Sequence, residues 1–142
     1  MDMTIKAIGQ ALKTALNDSL LASYPQLQIF APDEIPAALN SNMTIIILPG
    51  EPPFADYHKD LAGDIWELHF RISILIPQTD LATSLSILAP FWDLIPTALD
   101  ANRTLSGACS DSHLDQNKDG IGKMEWGGTL YSATEFTFRV ID

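Results

Sequence analysis

The feature that most constrains the fold is a long alternating stretch, IWELHFRISILIP, at residues 65–77. Successive side chains of a β-strand point to opposite faces, so this pattern predicts a strand with two chemically different faces. One face carries Trp66, Leu68, Phe70, Ile72, Ile74 and Ile76, and the other carries Glu67, His69, Arg71 and Ser73. We expect this strand to be the spine of an antiparallel sheet that has one face toward water.

Two segments have the apolar spacing of amphipathic helices. Residues 4–22 and residues 79–101 each place apolar side chains at every third or fourth position. In the second segment the apolar stripe consists of Leu81, Leu85, Leu88, Trp92, Ile95 and Leu99. Pro90 and Pro96 each remove a backbone donor, so we expect a kink or two consecutive helices there.

The remaining segments indicate further strands. The β-branched run MTIIILP (43–49) is typical of a strand buried on both faces. QLQIFAP (26–32), RTLSGACSDSHLD (103–115) and the region after residue 122 also favour strands, with a bulge or sharp bend at Gly127-Gly128. The order of elements predicts one α+β domain over residues 1–142. Its two main helices, about 4–22 and 79–101, pack on one face of a mostly antiparallel sheet that ends in a C-terminal β-hairpin.

Charge and cysteine content exclude several kinds of function. The chain has 18 acidic and 8 basic residues, a formal net charge of −10, which argues against a nucleic-acid-binding surface. Cys109 is the single cysteine, so an intrachain disulfide or a cysteine zinc site is ruled out, and we expect it to be a buried small side chain. No apolar run is long enough to predict a membrane span, and we expect a soluble protein.

The stretch DQNKDGIGKMEW (115–126) resembles a calcium loop in part. Asp115, Asn117 and Asp119 alternate and a glycine follows them, as calcium-binding loops require. The twelfth position, where a bidentate glutamate should stand, is Trp126, and Glu125 comes one residue early. We therefore interpret the stretch as the solvent-facing tip of the terminal hairpin. Weak calcium binding by Asp115, Asn117 and Asp119 is the alternative.

Catalytic motifs give no positive indication of an enzyme. The chain contains no nucleophile-elbow, zinc-protease or phosphate-loop motif. A histidine–carboxylate site would need His69, His113 and Glu67 to meet on one sheet face, and solvated or hydrogen-bonded histidines are the favoured interpretation. We expect a protein that is not an enzyme and has no cofactor, and a hydrolase is the least favoured hypothesis.

A long polar connection stands before the alternating strand. It begins at Gly50 and ends at Asp64 (GEPPFADYHKDLAGD), and it contains Phe54, Tyr57 and His58. Loops of this length in compact domains are commonly functional. We expect residues 50–64 to form a loop that contacts a neighbouring subunit or another partner.

Four segments together give the chain a resemblance to a known family. They are ALNDSLLASYP (15–25), DIWELHFRISILI (64–76), LDANRTLSGA (99–108) and EWGGTLYSATEFTFRV (125–140). In pattern and order they resemble the tail terminator and head-to-tail connector (neck) proteins of long-tailed bacteriophages. The resemblance spans nearly the whole chain, and it lies in the order of the segments.

The resemblance implies a structural virion protein located in the tail-neck region and assembled in the host cytoplasm. Tail terminators form rings, typically hexameric, that cap the tail tube and join it to the head connector. The implied partners are other copies of this chain, the tail tube protein, the tail sheath where the tail has one, and the head connector or stopper protein. DNA would pass through the lumen without specific binding, in keeping with the acidic composition. Another neck subunit is one alternative, and a small calcium-binding module using residues 115–125 is an alternative of a different class.

Overall fold

The computed structural model describes residues 5–39, 43–50, 55–60 and 63–141, and their side chains except those of 55–60, 63–66 and 115–120. The helices are α1 (Ile5–Leu20), α2 (Leu81–Leu88) and α3 (Phe91–Asp100). The strands are β1 (Gln28–Phe30), β2 (Thr44–Pro49), β3 (Ala55–Asp60), β4 (Gly63–Pro77), β5 (Asp111–Trp126) and β6 (Thr129–Ile141). The predicted α+β fold is confirmed: a curled, mostly antiparallel sheet, helices on one face, and a C-terminal hairpin.

β4 is the spine of the sheet, as its alternation predicts. The six strands follow the order β1-β2-β4-β6-β5, and β3 pairs with the part of β4 that precedes its pairing with β2. Ile72 stands between Ile47 of β2 and Phe136 of β6 at the centre of the sheet. All three side chains are fully buried in the main core, where each contributes about 1.5–3 kcal/mol relative to an exposed position.

The helices cover the face of the sheet that carries these core side chains. The apolar stripe of α1 is buried through Ile8, Leu12 and Leu16, and α3 adds Phe91 and Ile95 to the same core. The main core therefore lies between the sheet and α1 and α3. We call the opposite side of the sheet the outer face.

The outer face is only partly open to water, which corrects the expected wet face. Ser73 is 1% exposed and Leu75 is fully buried, although both belong to the face opposite the helices. Leu75 joins a second buried cluster with Ile46, Tyr131 and Ala133. Residues 31–39, which we call the strap, contribute partly buried Ile35 and Leu39 to this cluster. Sequence alternation on β4 carries no information about a distant segment that covers it.

The strap is held at one end by α1. An ion pair joins Lys13 of α1 to Glu34, and the Glu34 carboxylate also accepts a hydrogen bond from the Ala31 N–H at 3.0 Å. Gly9 lets the strap approach the helix, because a Cβ there would lie 2.4 Å from Cδ of Pro32. These contacts fix the start of the strap to α1.

The terminal hairpin holds the other end of the strap. Trp126 at the end of β5 donates its indole N–H to the Pro36 carbonyl at 3.0 Å. Gly127 lies so close to the strap that a Cβ would be 2.5 Å from the carbonyl oxygen of Ala37. The strap therefore joins the first helix to the last hairpin.

The turn of the hairpin is Gly127-Gly128, and the prediction of a tip at residues 115–126 is wrong. β5 continues to Trp126, with register shifts between Leu114 and Gln116 and between Lys118 and Gly122. Gly127 and Gly128 have φ values of 59° and 79°, and two successive positive φ angles match the twist of antiparallel strands. The DQNKDG segment is thus part of an irregular strand, because the two glycines offer the better hairpin geometry.

The predicted second helix is two helices, as its prolines indicate. α2 ends at Leu88 and α3 begins at Phe91, so the break falls at Ala89-Pro90, while α3 accommodates Pro96. Asp80 caps α2 by accepting a hydrogen bond from the Thr83 N–H at 2.8 Å.

Residues 101–110 form turns, so the strand predicted to begin at residue 103 begins only at Asp111. Leu105, Ser106 and Gly107 all have positive φ, at 50°, 57° and 90°. The Asn102 side chain supports this conformation, since its Oδ1 accepts from the Ser106 N–H at 2.8 Å. Leu105 is only 2% exposed and fills the core, which explains an apolar residue in this unusual backbone.

Candidate functional site

The candidate calcium ligands lie within β5. Asn117 is in register with Phe136, and the side chains of Asp115, Asn117 and Asp119 lie outside the described residues. A calcium loop wraps its backbone around the ion, whereas β5 follows an extended path with a register shift in this region. In the described part of the chain, no three histidine, cysteine, aspartate or glutamate residues are grouped to hold a metal. Calcium binding stays a prediction.

The candidate interface loop contains a strand, which corrects the expected irregular connection. Residues 55–60 form β3, and Asp64 belongs to β4. Tyr57 and His58 are in register with Trp66 and Ile65, while Phe54 lies outside the described residues. Long polar loops and exposed hairpins have similar composition, so the sequence did not separate them.

The β3–β4 pair extends beyond the rest of the sheet. β6 ends at Ile141, which is in register with Glu67 of β4, so the part of β4 before Glu67 has β3 as its described strand partner. We call β3 with residues 63–66 the arm. A two-stranded ribbon is marginally stable in water, so an arm of this kind gains from packing on another surface.

A row of polar residues crosses the outer face beside the arm. His69 of β4, Arg139 of β6 and His113 of β5 are opposite one another in register. Glu67 adds its carboxylate to the row, with its Oε2 3.3 Å from His69 Nε2 and its Oε1 3.8 Å from Arg139 Nη1. The sheet therefore brings Glu67, His69 and His113 onto one face, the placement that a histidine–carboxylate site would require.

The chemistry of this row is that of an ion-paired network. The Glu67 carboxylate faces the Arg139 guanidinium, with which it forms an ion pair, and the His69 imidazole, which lies within hydrogen-bond distance. Ser73 Oγ is buried without a hydrogen-bond partner among the described residues, and it is the hydroxyl of β4 on this face. It lies four residues along the strand from His69, roughly 13 Å away, too far for a serine–histidine dyad. The row can bind a partner through charge, but its described members do not form a nucleophile–base pair.

Sequence reasoning missed an exposed apolar surface on α2. Leu81 is 69% exposed and Leu85 is 45% exposed, although both belong to the stripe expected in the core. The positions of α2 that face the sheet are Ser84 and Leu88. Leu88 is therefore buried, whereas Leu81 and Leu85, which precede it on the same helix, are exposed. We call Leu81 and Leu85 the α2 flank, since residues four apart share one side of a helix.

Charged residues of both signs surround the start of α2. The Thr79 N–H donates to Ser132 Oγ of β6 at 3.3 Å, which places the helix start over the end of the hairpin. Lys123 is opposite Ser132 in register, and both Lys123 and Asp80 are exposed. Glu125 is opposite Leu130, which is itself 39% exposed at the same end of the molecule.

The α2–α3 region also satisfies the length and hydropathy of a membrane span. Leu81–Asp100 is apolar enough by composition, but it contains the break at Ala89-Pro90 and carries Asp93. Much of α3 is buried in the core. These features are typical of a bent helix of a globular domain.

The turn after α3 is fastened to β5. Arg103 makes a bidentate ion pair with Asp111, with N–O distances of 2.9 and 2.8 Å. The Arg103 carbonyl accepts from Ser112 Oγ at 2.6 Å. The hydrogen bond from the Ser112 N–H and the Arg103 guanidinium hold the pKa of Asp111 below its usual value. The Thr-Leu-Ser-Gly part of the resemblance thus coincides with a turn whose conformation depends on several local contacts.

Comparison with known proteins shows a shared fold. No protein-family model and no curated protein match the sequence. The chain is similar to a solved structure identified only by a sequence number, with a TM-score of 0.52 and 17% sequence identity. The similarity covers 98% of this chain and 96% of that one. At this identity, the similarity shows that the two chains share a fold along nearly their full length.

Proposed function

We propose that this chain is a structural subunit of the neck of a long-tailed bacteriophage: a tail terminator that assembles as a ring, caps the tail tube and joins it to the head connector. The observation that carries the proposal is the order of the four segments that resemble the family. They fall on the end of α1, on β4, on the turn after α3 and on the terminal hairpin. A neighbouring neck subunit of the same ring-forming kind is the alternative within this class.

Two surface features support an assembly role. In the arm, residues 63–66 of β4 extend past the end of β6, and their described strand partner is β3. A neighbouring subunit or the tail tube would complete the packing of this two-stranded ribbon. The polar row beside it offers charged groups of both signs for the same contact. We therefore assign the subunit or tube contact to the arm, which overlaps the region 50–64 expected from the sequence.

The acidic composition supports passage of DNA without adhesion. A net charge of −10 would give a ring of this chain a negative field that repels phosphate. If the ring lumen carries this charge, Lys substitutions of lumen-facing acidic residues would slow genome ejection. Unchanged ejection kinetics in such virions would remove the electrostatic part of the proposal.

The test of the function uses tail tubes assembled from the tube protein of the phage that would encode this chain. Negative-stain images of tubes mixed with the protein should show a ring at one tube end, and the protein should stop tube growth when it is added during assembly. Light scattering on the protein alone reports any ring formed before it meets the tube. Tubes that elongate normally and carry no terminal density would refute the proposal.

An arm-deleted variant tests the surface. Replacing residues 57–66 with Asn-Gly keeps Asp56 opposite Glu67 and closes the shortened hairpin with a favoured turn. Pairing of β4 with β2 and β6 uses later residues of β4, so the variant should keep its thermal stability while it loses ring formation or tube capping. Capping by a folded variant without the arm would move the contact elsewhere.

A further inference from the structure

Three of the four large apolar side chains of α2 are exposed, although the helix packs on the sheet. Ser84 and Leu88 are buried against the sheet, while Leu81 is 69% exposed, Leu85 is 45% exposed and Ile87, on another side of the helix, is 36% exposed. The inward serine is accommodated by a hydrogen bond from its Oγ to the Thr79 carbonyl at 3.4 Å. Leu81 and Leu85 are four residues apart on the helix, so they form one exposed apolar site of the kind that a partner can cover.

The charge around the flank decides what kind of partner fits. Residues 81–92 carry no charged side chain, and Leu81–Asp100 contains no lysine or arginine. A membrane-surface helix needs basic residues on its polar side to attract anionic lipid, and this chain is strongly acidic. The flank therefore fits a protein surface better than a lipid surface.

The charges around the flank allow two copies of the chain to form ion pairs with each other. Asp80, Lys123 and Glu125 are all exposed around the start of α2, so both signs of charge lie beside one apolar centre. In a two-fold contact, a residue of one copy meets a different residue of the other, and Lys123 of one copy can face Asp80 or Glu125 of the second. The uncharged helix also lets two acidic molecules approach without burying carboxylates.

We propose that two copies of this chain associate through a two-fold contact in which the α2 flank of one packs against the α2 flank of the other. The occupant of the flank is thus a second copy of the same chain. A two-fold contact alone cannot close a cyclic ring, so it is separate from the ring contact assigned to the arm. It pairs free subunits or two stacked rings, and it does not rest on the proposed phage function.

The size of the helix limits the strength of the contact. α2 has eight residues and is about 12 Å long, so the apolar centre is smaller than that of a permanent dimer. The association is therefore reversible, with a dissociation constant in the micromolar range or weaker. Sedimentation velocity over a wide protein concentration range should show a monomer–dimer equilibrium.

Substitutions on opposite sides of α2 give a matched pair. Leu85→Glu places a charge in the centre of the contact and should weaken dimerisation about tenfold or more. Thr83→Glu places the same charge on the other side of the helix, since two residues are separated by about 200°, and should leave dimerisation unchanged. Both positions are exposed, so both variants should keep the thermal unfolding temperature of the parent.

A single-cysteine cross-link identifies the symmetry. In a Cys109→Ser background, Leu85→Cys should form disulfide-linked dimers under mild oxidation, because a residue near a two-fold axis meets its own copy. Thr83→Cys should form none at the same concentration. Each chain has one thiol, so every disulfide product is a dimer, and the selective reaction of position 85 over position 83 is the result that supports the two-fold contact.

Several outcomes would overturn the contact. They are a monomer at every concentration, equal weakening by Leu85→Glu and Thr83→Glu, or no selective cross-link at position 85. Flotation of the protein with neutral phosphatidylcholine vesicles, lost in Leu85→Glu, would assign the flank to lipid instead. Rings on tail tubes without the position-85 cross-link would leave the proposed function standing and remove this contact. The position-85 cross-link in a protein that does not cap tubes would leave this contact standing and remove the proposed function.

Discussion

At the scale of single residues, two glycines and one leucine have positive φ angles that the sequence predicts only in part. Gly127-Gly128 was recognised as a bend, but its role as the hairpin turn depends on which of two polar stretches closes the strands. The sequence does not predict the positive φ of Leu105, because an apolar residue between Thr104 and Ser106 is typical of a strand. Its positive φ arises from the Asn102 cap and from burial in the core, and both are contacts that local pattern does not contain.

Replacing Gly127 with alanine should destabilise the protein more than the same change at Gly128. Both residues have positive φ, so each variant loses about 1–2 kcal/mol from backbone strain. At position 127 the new Cβ would also lie 2.5 Å from the Ala37 carbonyl oxygen and 2.9 Å from Ala38 Cα, whereas position 128 has open space. We expect a further loss of about 1–3 kcal/mol for Gly127→Ala. Urea unfolding measures both, and equal losses would show that the strap does not rest on the turn.

Cys109 should react slowly with thiol reagents in the native protein. Burial is the main cause that raises the pKa of its thiol, and the negative charge of Asp111 acts in the same direction. Less thiolate and little access both slow the reaction. We expect one thiol to react rapidly in denaturant and at least about 100-fold more slowly without it. Rapid reaction of the folded protein would mean that the turn after α3 opens readily.

At the scale of elements, strong periodic patterns predict that a helix or strand exists, and which of the two it is, better than they predict which of its faces is buried. β4, β2 and the broken second helix follow from alternation, β-branching and proline. β3 does not, because a short polar strand stabilised by one neighbour has the composition of a loop. The α2 flank was missed because the spacing of Leu81, Leu85 and Leu88 does not show which side of α2 faces the sheet, and of the three only Leu88 does. The polar row was foreseen only as a possible meeting of Glu67, His69 and His113, since sequence carries no register between strands.

The tie between α1 and the strap should weaken in acid. The hydrogen bond from the Ala31 N–H, and then Lys13, hold the pKa of Glu34 below its usual value. A lowered folded-state pKa means that the carboxylate stabilises the fold above the usual carboxyl range and that this contribution is lost as the pH falls through the folded value. The free energy of unfolding of Glu34→Gln should therefore be lower than that of the parent near pH 7, and the two should converge below about pH 4.

The control for this measurement is Asp18→Asn, which removes a negative charge from an exposed position of α1. Its difference from the parent should stay small at every pH. Asp80 and Asp111 also have lowered pKa values, because of hydrogen bonds from Thr83 and Ser112, so the parent itself should lose stability in acid. A Glu34→Gln difference that persists unchanged at pH 3 would mean that the ionised carboxylate is not what holds the strap.

At the scale of the whole molecule, net charge opposes any contact between copies. Each chain carries a formal charge of −10, so two subunits repel one another at long range, whereas the proposed contact itself is apolar with a mixed rim. Added salt screens the repulsion over a Debye length of about 10 Å at 0.1 M and leaves apolar burial in place. Self-association should therefore strengthen from low to moderate ionic strength. Sedimentation at a series of sodium chloride concentrations checks the sign, and association that weakens with salt would point to ion pairs as the main attraction.

The strap also determines when the molecule can finish folding. Its hydrogen bond to the hairpin joins residues separated by 90 positions, Pro36 and Trp126. At a synthesis rate of about 5–20 residues per second, the strap waits on the order of 5–20 seconds for the residue that holds its second end. During this interval the central strand β4 also lacks β6, and the apolar side chains of the nascent chain have no final cover. Folding is therefore completed only after the C-terminal hairpin has been synthesised. Chains that terminate before the hairpin would be substrates for chaperones and proteases rather than partly active subunits.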